Sequence, residues 1–217
     1  MWYNVFYYRQ VFKFSNLVQN MKLSIIMPVY DEEKTLAEMI KRVQRVSLGK
    51  IFKEIIIVDD FSKDNTFKIA EELEGNYKNI RVFRHTKNQG KGAAVRTGIK
   101  HALGDIAVIQ DGDLEYNPQD FKKLIEPIIR GESEAVYGSR FMNPQHANLV
   151  LFGKNKTPLP SHYLGNKFLS FMTGLLYGKT VTDMETCYKM VSLPLLKSLN
   201  LKANKFEIEP EITAKLL

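Results

Sequence analysis

Cysteine is nearly absent from this chain: Cys187 is the single one in 217 residues. That rules out an internal disulfide framework and any cysteine-built metal site, and it fits a reducing compartment. Apolar runs are short, and none reaches the roughly 18 to 20 uninterrupted residues that a membrane span requires. The expected setting is cytoplasmic, in solution or peripheral at the cytoplasmic membrane face. No P-loop sequence of the form GxxxxGK followed by Ser or Thr occurs, which disfavours ATP-dependent phosphoryl transfer. Gly90 and Gly92 lack the third glycine of a dinucleotide fingerprint, and a glycine pair before a helix is often only a tight turn. Acids are missing from Ala135 to Thr182, where Arg140, Lys154, Lys156, Lys167 and Lys179 supply only positive charge. Such a stretch suits an anionic partner.

What is present suffices for one ordinary domain. Hydrophobic residues make up 44% and aromatics 11% of the chain, enough to bury a core of normal size. Lys and Arg outnumber Asp and Glu by 31 to 24, a formal charge of +7. This balance favours nucleotides, phosphates, nucleic acid or acidic lipid heads without choosing among them. No interleaved aromatic and basic RNA-binding motif occurs, so a nucleic-acid partner is not expected. The opening segment MWYNVFYYRQVFKFSNLVQN is aromatic-rich but lacks the compact apolar region and cleavage site of a signal peptide. It reads either as an aromatic arm touching a membrane or as sequence upstream of a start at Met21. The folded pattern needs nothing before Met21, which favours the second. Residues 1–21 are accordingly an extension, disordered or not native, and 22–217 the domain.

Strand and helix patterns alternate through the body. LSIIMPV (23–29) and EIIIVDD (54–60) are buried-strand runs, with further strands at 80–85, 105–111 and 134–140. Between them, DEEKTLAEMIKRV places Leu36, Met39, Ile40 and Val43 at helical spacing, with acids suited to the first turn. Helices are also expected at 64–73, 90–103 and 118–129. Strands this apolar are usually covered on both faces, so the fold class is α/β, a mostly parallel central sheet flanked by helices.

Ligands of such open sheets bind at the carboxyl ends of the strands. Acids gather at three of those ends: Asp31 and Glu32; Asp59, Asp60 and Asp64; Asp111, Asp113 and Glu115. Asp64 suits a helix N-cap, but capping explains only one of the adjacent pair Asp59 and Asp60. Carboxylates crowded at one edge repel one another and call for a cation between them.

SIIMPVYDEEKTL, IIIVDDFSKDNT, NQGKGAAVRTGI and IQDGDLEYNP, in this order and spacing, resemble the family 2 glycosyltransferases, nearest the branch acting on dolichyl and other polyprenyl phosphates. The match runs from about Lys22 to the C-terminus. It implies a GT-A fold, a nucleotide-sugar donor (UDP- or GDP-linked), and Mg2+ or Mn2+ held at Asp111 and Asp113, with Glu115 as a further ligand. By the same resemblance Pro28, Tyr30, Glu32 and Asp60 line the nucleotide pocket, Asp60 accepting hydrogen bonds from base or ribose. Lys91 is then a diphosphate contact, and Gly112 lets backbone approach the ligand.

For the acceptor, the resemblance makes Asp183 a catalytic residue across from the metal and Lys189 a holder of phosphate. SHYLGNKFLSFMTGLLYG (161–178) is expected to be a helix, packed on the sheet or meeting lipid and a polyprenyl chain. Glu209, in FEIEPEI, is either on a solvated helix face or an acceptor contact. The expectation is an inverting transferase moving a hexose to a lipid phosphate, with peripheral membrane contact and self-association into a homo-oligomer compatible. A saccharide acceptor and a nucleotide-sugar-binding module are the alternatives. Ending at AKLL inside an expected helix, the chain suggests a C-terminally shortened catalytic domain.

Overall fold

The computed structural model describes residues 2–6, 21–139 and 186–217. Its centre is a seven-stranded sheet in the order β1-β6-β7-β5-β2-β3-β4, where β1 is Trp2–Phe6, β2 Lys22–Val29, β3 Phe52–Asp59, β4 Ile80–Arg84, β5 Ile106–Ile109, β6 Ala135–Ser139 and β7 Lys189–Ser192. β2, β3, β4 and β5 form a parallel block, while β7 runs antiparallel to both β5 and β6. The residues from Leu23 through Val29, like those from Glu54 through Asp59, are all buried. That is why their sequences are continuous apolar runs rather than alternations.

The helices follow from the crossovers. α1 (Leu36–Arg45) and α2 (Thr66–Asn76) connect steps in one direction along the sheet, whereas α3 (Lys91–His101) leads back across it. Right-handed connections therefore put α3 on the opposite face from α1 and α2. α4 (Phe121–Ile129) follows a short 3-10 turn begun by Pro118, and α5 (Leu193–Ser198) and α6 (Ile208–Leu216) close the described chain. In α1, Leu36, Met39, Ile40 and Val43 are the buried stripe, as the spacing predicts.

Two details depart from the sequence reading. Trp2–Phe6 pairs antiparallel with β6, from Trp2 opposite Ser139 to Phe6 opposite Ala135. The aromatic segment before Met21 thus supplies an edge strand, for which β-branched and aromatic residues have high propensity. Also, α1 begins only at Leu36, so Asp31, Glu32 and Glu33 lie before it. Their groups instead join the β2–α1 and β3–α2 connections. The Lys63 N–H donates to Asp31 Oδ1 (2.7 Å), the Asn65 N–H to Glu33 Oε2 (3.1 Å), and the Glu33 N–H to Asp64 Oδ2 (3.1 Å). Asp64 also accepts the Thr66 N–H (2.9 Å) at the start of α2, although the N-cap position itself is held by Asn65 rather than by Asp64.

Candidate active site

The carboxyl ends of β2, β3 and β5 open onto one cleft because their registers stagger. Val29 pairs with Asp59, but β5 ends with Ile109 opposite Ile26. The chain from Gln110 to Asp113 must then turn across the end of β2 rather than extend the ladder. The resulting cleft has a volume of about 440 Å³. It brings together Pro28, Tyr30, Glu32, Asp60, Lys91, Asp111, Gly112 and Asp113, and adds Asn88, Lys205 and Phe206. A Cβ on Gly112 would sit 2.9 Å from Val29 Cγ1, so that glycine lets the turn pack onto β2. Its small size serves this packing, whereas the sequence reading credited it with ligand approach.

The adjacent acids Asp59 and Asp60 divide their work. Asp59 is fully buried and pairs with Arg84 Nε at 3.1 Å, the guanidinium lying over the Phe67 ring. Asp60, 3% exposed, accepts the Gln89 N–H (2.9 Å) and the Gly90 N–H (2.6 Å), and its Oδ1 lies 2.6 Å from His85 Nδ1. A carboxylate offers about four lone-pair sites, so little capacity is left for base or ribose. Asp60 therefore holds the loop that leads into α3. His85, whose Nε2 lies 2.9 Å from Thr97 Oγ1, is an anchor the sequence reading missed. Only a histidine placed just after a strand hinted at it.

Gly90 enters α3 with φ 95°, and a Cβ there would stand 2.4 Å from the Asn204 carbonyl oxygen. This close approach brings the 203–205 segment over the helix start, which is how Lys205 and Phe206 reach the cleft. The Ala93 N–H seals the contact by donating to Asn204 O (3.0 Å). The glycine signal was visible; its partner, more than a hundred residues on, was not.

The cation between the acids is in part a lysine. Lys91 Nζ lies 2.8 Å from Asp111 Oδ1 and 3.3 Å from Glu209 Oε1, and Glu209 Oε2 lies 2.5 Å from Lys189 Nζ. Burial, the largest single influence on Lys91, lowers its pKa, yet the carboxylates of Asp111 and Glu209 help to turn the net shift upward. Among the described residues Asp113 has no such partner. Burial, with repulsion from Asp111, Glu115 and Glu32, pushes its carboxyl up to about 6.

The remaining expected site residues fall elsewhere. Glu115 is exposed and absent from the cleft wall; its N–H donates to Asp113 Oδ1 (3.1 Å), and its carboxylate bears on Asp113 by repulsion. Lys189 is 1% exposed, donates to the Thr186 carbonyl and sits 5.5 Å from the Tyr137 ring centroid. A side chain so enclosed cannot receive an acceptor phosphate, which corrects the role expected for it. Glu209, 5% exposed, is likewise an interior partner rather than a solvated face. Asp183, the 161–178 helix and the basic residues Arg140, Lys154, Lys156, Lys167 and Lys179 lie outside the described residues. Among the described residues no three His, Cys, Asp or Glu side chains cluster closely enough to hold a metal ion by themselves.

Residues 24–198 match the family model described as glycosyl transferase family 2. The chain belongs to that family. Over 201 residues it is 38% identical to a UDP-N-acetylglucosamine–dolichyl-phosphate N-acetylglucosaminyltransferase of Methanococcus voltae, covering 84% of this chain and 75% of that one. Over 122 residues it is 41% identical to a dolichol-phosphate mannosyltransferase of Pyrococcus furiosus, covering 56% of this chain and 34% of that one. Glucosyl-3-phosphoglycerate synthase from Mycobacterium tuberculosis, solved with Mn2+, UDP and phosphoglyceric acid, superposes with a TM-score of 0.62 at 22% identity, over 88% of this chain and 62% of that one. S. aureus TarS superposes with a TM-score of 0.61 at 22% identity, over 90% of this chain and 55% of that one. These likenesses establish the GT-A fold, and family membership makes the chain a glycosyltransferase.

Proposed function

We propose that this family 2 member transfers a hexose, with inversion, from a UDP- or GDP-linked sugar to a polyprenyl phosphate. The observation that carries the reading is the cleft itself: Asp113, with no cationic partner among the described residues, and lysine-paired Asp111 at the carboxyl edge of the sheet, where α/β folds receive nucleotides. Both relatives named above carry a dolichyl-phosphate acceptor in their names. The exposed rings of Tyr30 (40%) and Phe206 (76%) give the cleft an apolar lip that suits a lipid chain and peripheral membrane contact.

The donor diphosphate would lie along the wall formed by Asp111, Asp113 and Lys91. The donor set there fits Mg2+ or Mn2+, which take one or two carboxylates plus phosphate oxygens rather than an all-protein cage. Bound at Asp113 and Asp111, such a cation supplies Lewis-acid neutralisation of the leaving diphosphate. Lys91 keeps positive charge on the same wall, and Asp60 fixes the 88–90 loop that closes it. A lipid phosphate oxygen is already ionised near neutral pH, so the acceptor needs orientation more than a strong base. Asp183 is assigned that orienting role.

Transfer of label from UDP- and GDP-sugars into the organic phase in the presence of polyprenyl phosphate tests the acceptor. The expected result is acceptor-dependent, organic-soluble product from one of the donors. Label moving instead only to a water-soluble saccharide would replace this reading with one of polysaccharide synthesis.

The raised Asp113 carboxyl gives a pH signature. Its folded pKa, about 6, exceeds the ordinary carboxyl value of 3.8, so its contribution to stability is complete at low pH and is lost as pH rises through about 6. Added Mn2+ should relieve that loss, because the cation binds the ionised form. The Mn2+-induced rise in Tm is expected to be small in acid and to grow as pH passes about 6, vanishing with EDTA and in Asp113→Asn. A rise independent of pH, or retained in the variant, would place the cation elsewhere.

A further inference from the structure

Behind the loop that walls the donor cleft lies a second, larger hollow of about 660 Å³, which shares no residue with the first. His85, Gln89, Arg96, Lys100 and Lys197 are among its polar lining residues, with Leu196 and Leu201 among its apolar ones. Among the described residues it is lined by no acid, and Arg96, Lys100 and Lys197 pair with no carboxylate. Elsewhere the half-buried arginines are matched: Arg81 with Glu54 at 3.0 Å, Arg84 with Asp59 at 3.1 Å.

Arg96 carries a further sign. Its Nε–H is buried without an acceptor among the described residues, although the same guanidinium donates through Nη2 to Asn204 Oδ1. A buried donor left unpaired costs free energy, and like charges around one hollow repel. An anion with several oxygens relieves both, and a guanidinium fork beside two ammonium groups is a common way to hold phosphate. We propose that this hollow is a second anion site that binds a phosphate group. Its occupant would touch His85 and Gln89, whose contacts with Asp60 set the 88–90 loop, so it would sit directly behind the wall of the donor cleft.

The phosphate can belong to a soluble anion or to an anionic lipid headgroup, and two assays separate the sources. Inorganic pyrophosphate is titrated calorimetrically into the full chain in EDTA, so that no cation recruits it to Asp113. Binding to vesicles of phosphatidylcholine with phosphatidylglycerol is compared with binding to pure phosphatidylcholine. Lys100→Gln with Lys197→Gln alters only exposed side chains, and about a 30-fold weakening is expected in the assay that reports the natural source. Lys91→Gln, in the donor cleft, reports any anion held there instead of in the hollow. Loss of pyrophosphate affinity in the double variant assigns a soluble phosphate, and loss of phosphatidylglycerol-dependent binding assigns a headgroup. Equal behaviour of wild type and double variant in both assays, or loss caused by Lys91→Gln alone, overturns the proposal.

Discussion

Asp113→Asn is expected to slow sugar transfer by about 10³-fold or more while leaving the chain folded. Neutralising a leaving diphosphate is worth several kcal/mol of barrier, and the cation that would do so depends on this carboxylate more than on any other here. Asp111 already has the Lys91 ammonium 2.8 Å away, whereas Asp113 has no cationic partner among the described residues and its carboxyl is pushed up to about 6. Asparagine keeps the oxygen that accepts the Glu115 N–H and removes the repelling charge. Tm without cation should therefore be unchanged or slightly raised near neutral pH. Initial rates at saturating donor and Mn2+, beside a melting curve of the same preparation, make the test. Turnover within tenfold of wild type at an unaltered Tm would remove Asp113 from the mechanism. The same substitution at Asp111 is less clean, because it also strands Lys91 beside Glu209.

How far the sequence carried these conclusions depended on whether the partner was near in the chain. The strands of LSIIMPV and EIIIVDD were legible because burial on both faces leaves no polar alternation, and α1 because Leu36, Met39, Ile40 and Val43 share a stripe. The Asp-Gly-Asp turn was legible because a strand delivers it to the sheet edge. β7 was not, since KMVS is four residues long and carries a lysine, so nothing in its pattern announces a buried strand antiparallel to β5 and β6. Roles resting on distant partners were misread for the same reason. Asp60 looks like a free carboxylate until Gln89 and Gly90 donate to it. In a basic chain Lys189 looks like a phosphate holder. Its burial depends on Glu209, twenty residues on and on another element.

That buried pair yields the largest expected stability effect in the molecule. Lys189→Met should cost about 3 to 5 kcal/mol, since it leaves Glu209, 5% exposed, without its 2.5 Å partner inside the core. Against a total of about 5 to 15 kcal/mol for a typical domain, that is a large fraction. Lys91 still stands 3.3 Å from the other Glu209 oxygen, which holds the loss below the full cost of an isolated charge. Glu209→Leu strands the Lys189 ammonium, which among the described residues keeps the Thr186 carbonyl and the Tyr137 ring face. It also frees Lys91 to rely on Asp111 alone. Combining Lys189→Met with Glu209→Leu removes both charges at similar volume, and the double variant is expected to recover most of the stability lost by either single change. Urea midpoints and slopes for the four proteins give the coupling directly. Single variants within about 0.5 kcal/mol of wild type, or losses that simply add, would mean that the pair does not hold α6 to β7. If the coupling is found, the chain of contacts Asp111–Lys91–Glu209–Lys189 ties the donor wall to the core, and the rigidity of that wall is set in part by the buried Glu209–Lys189 pair behind it.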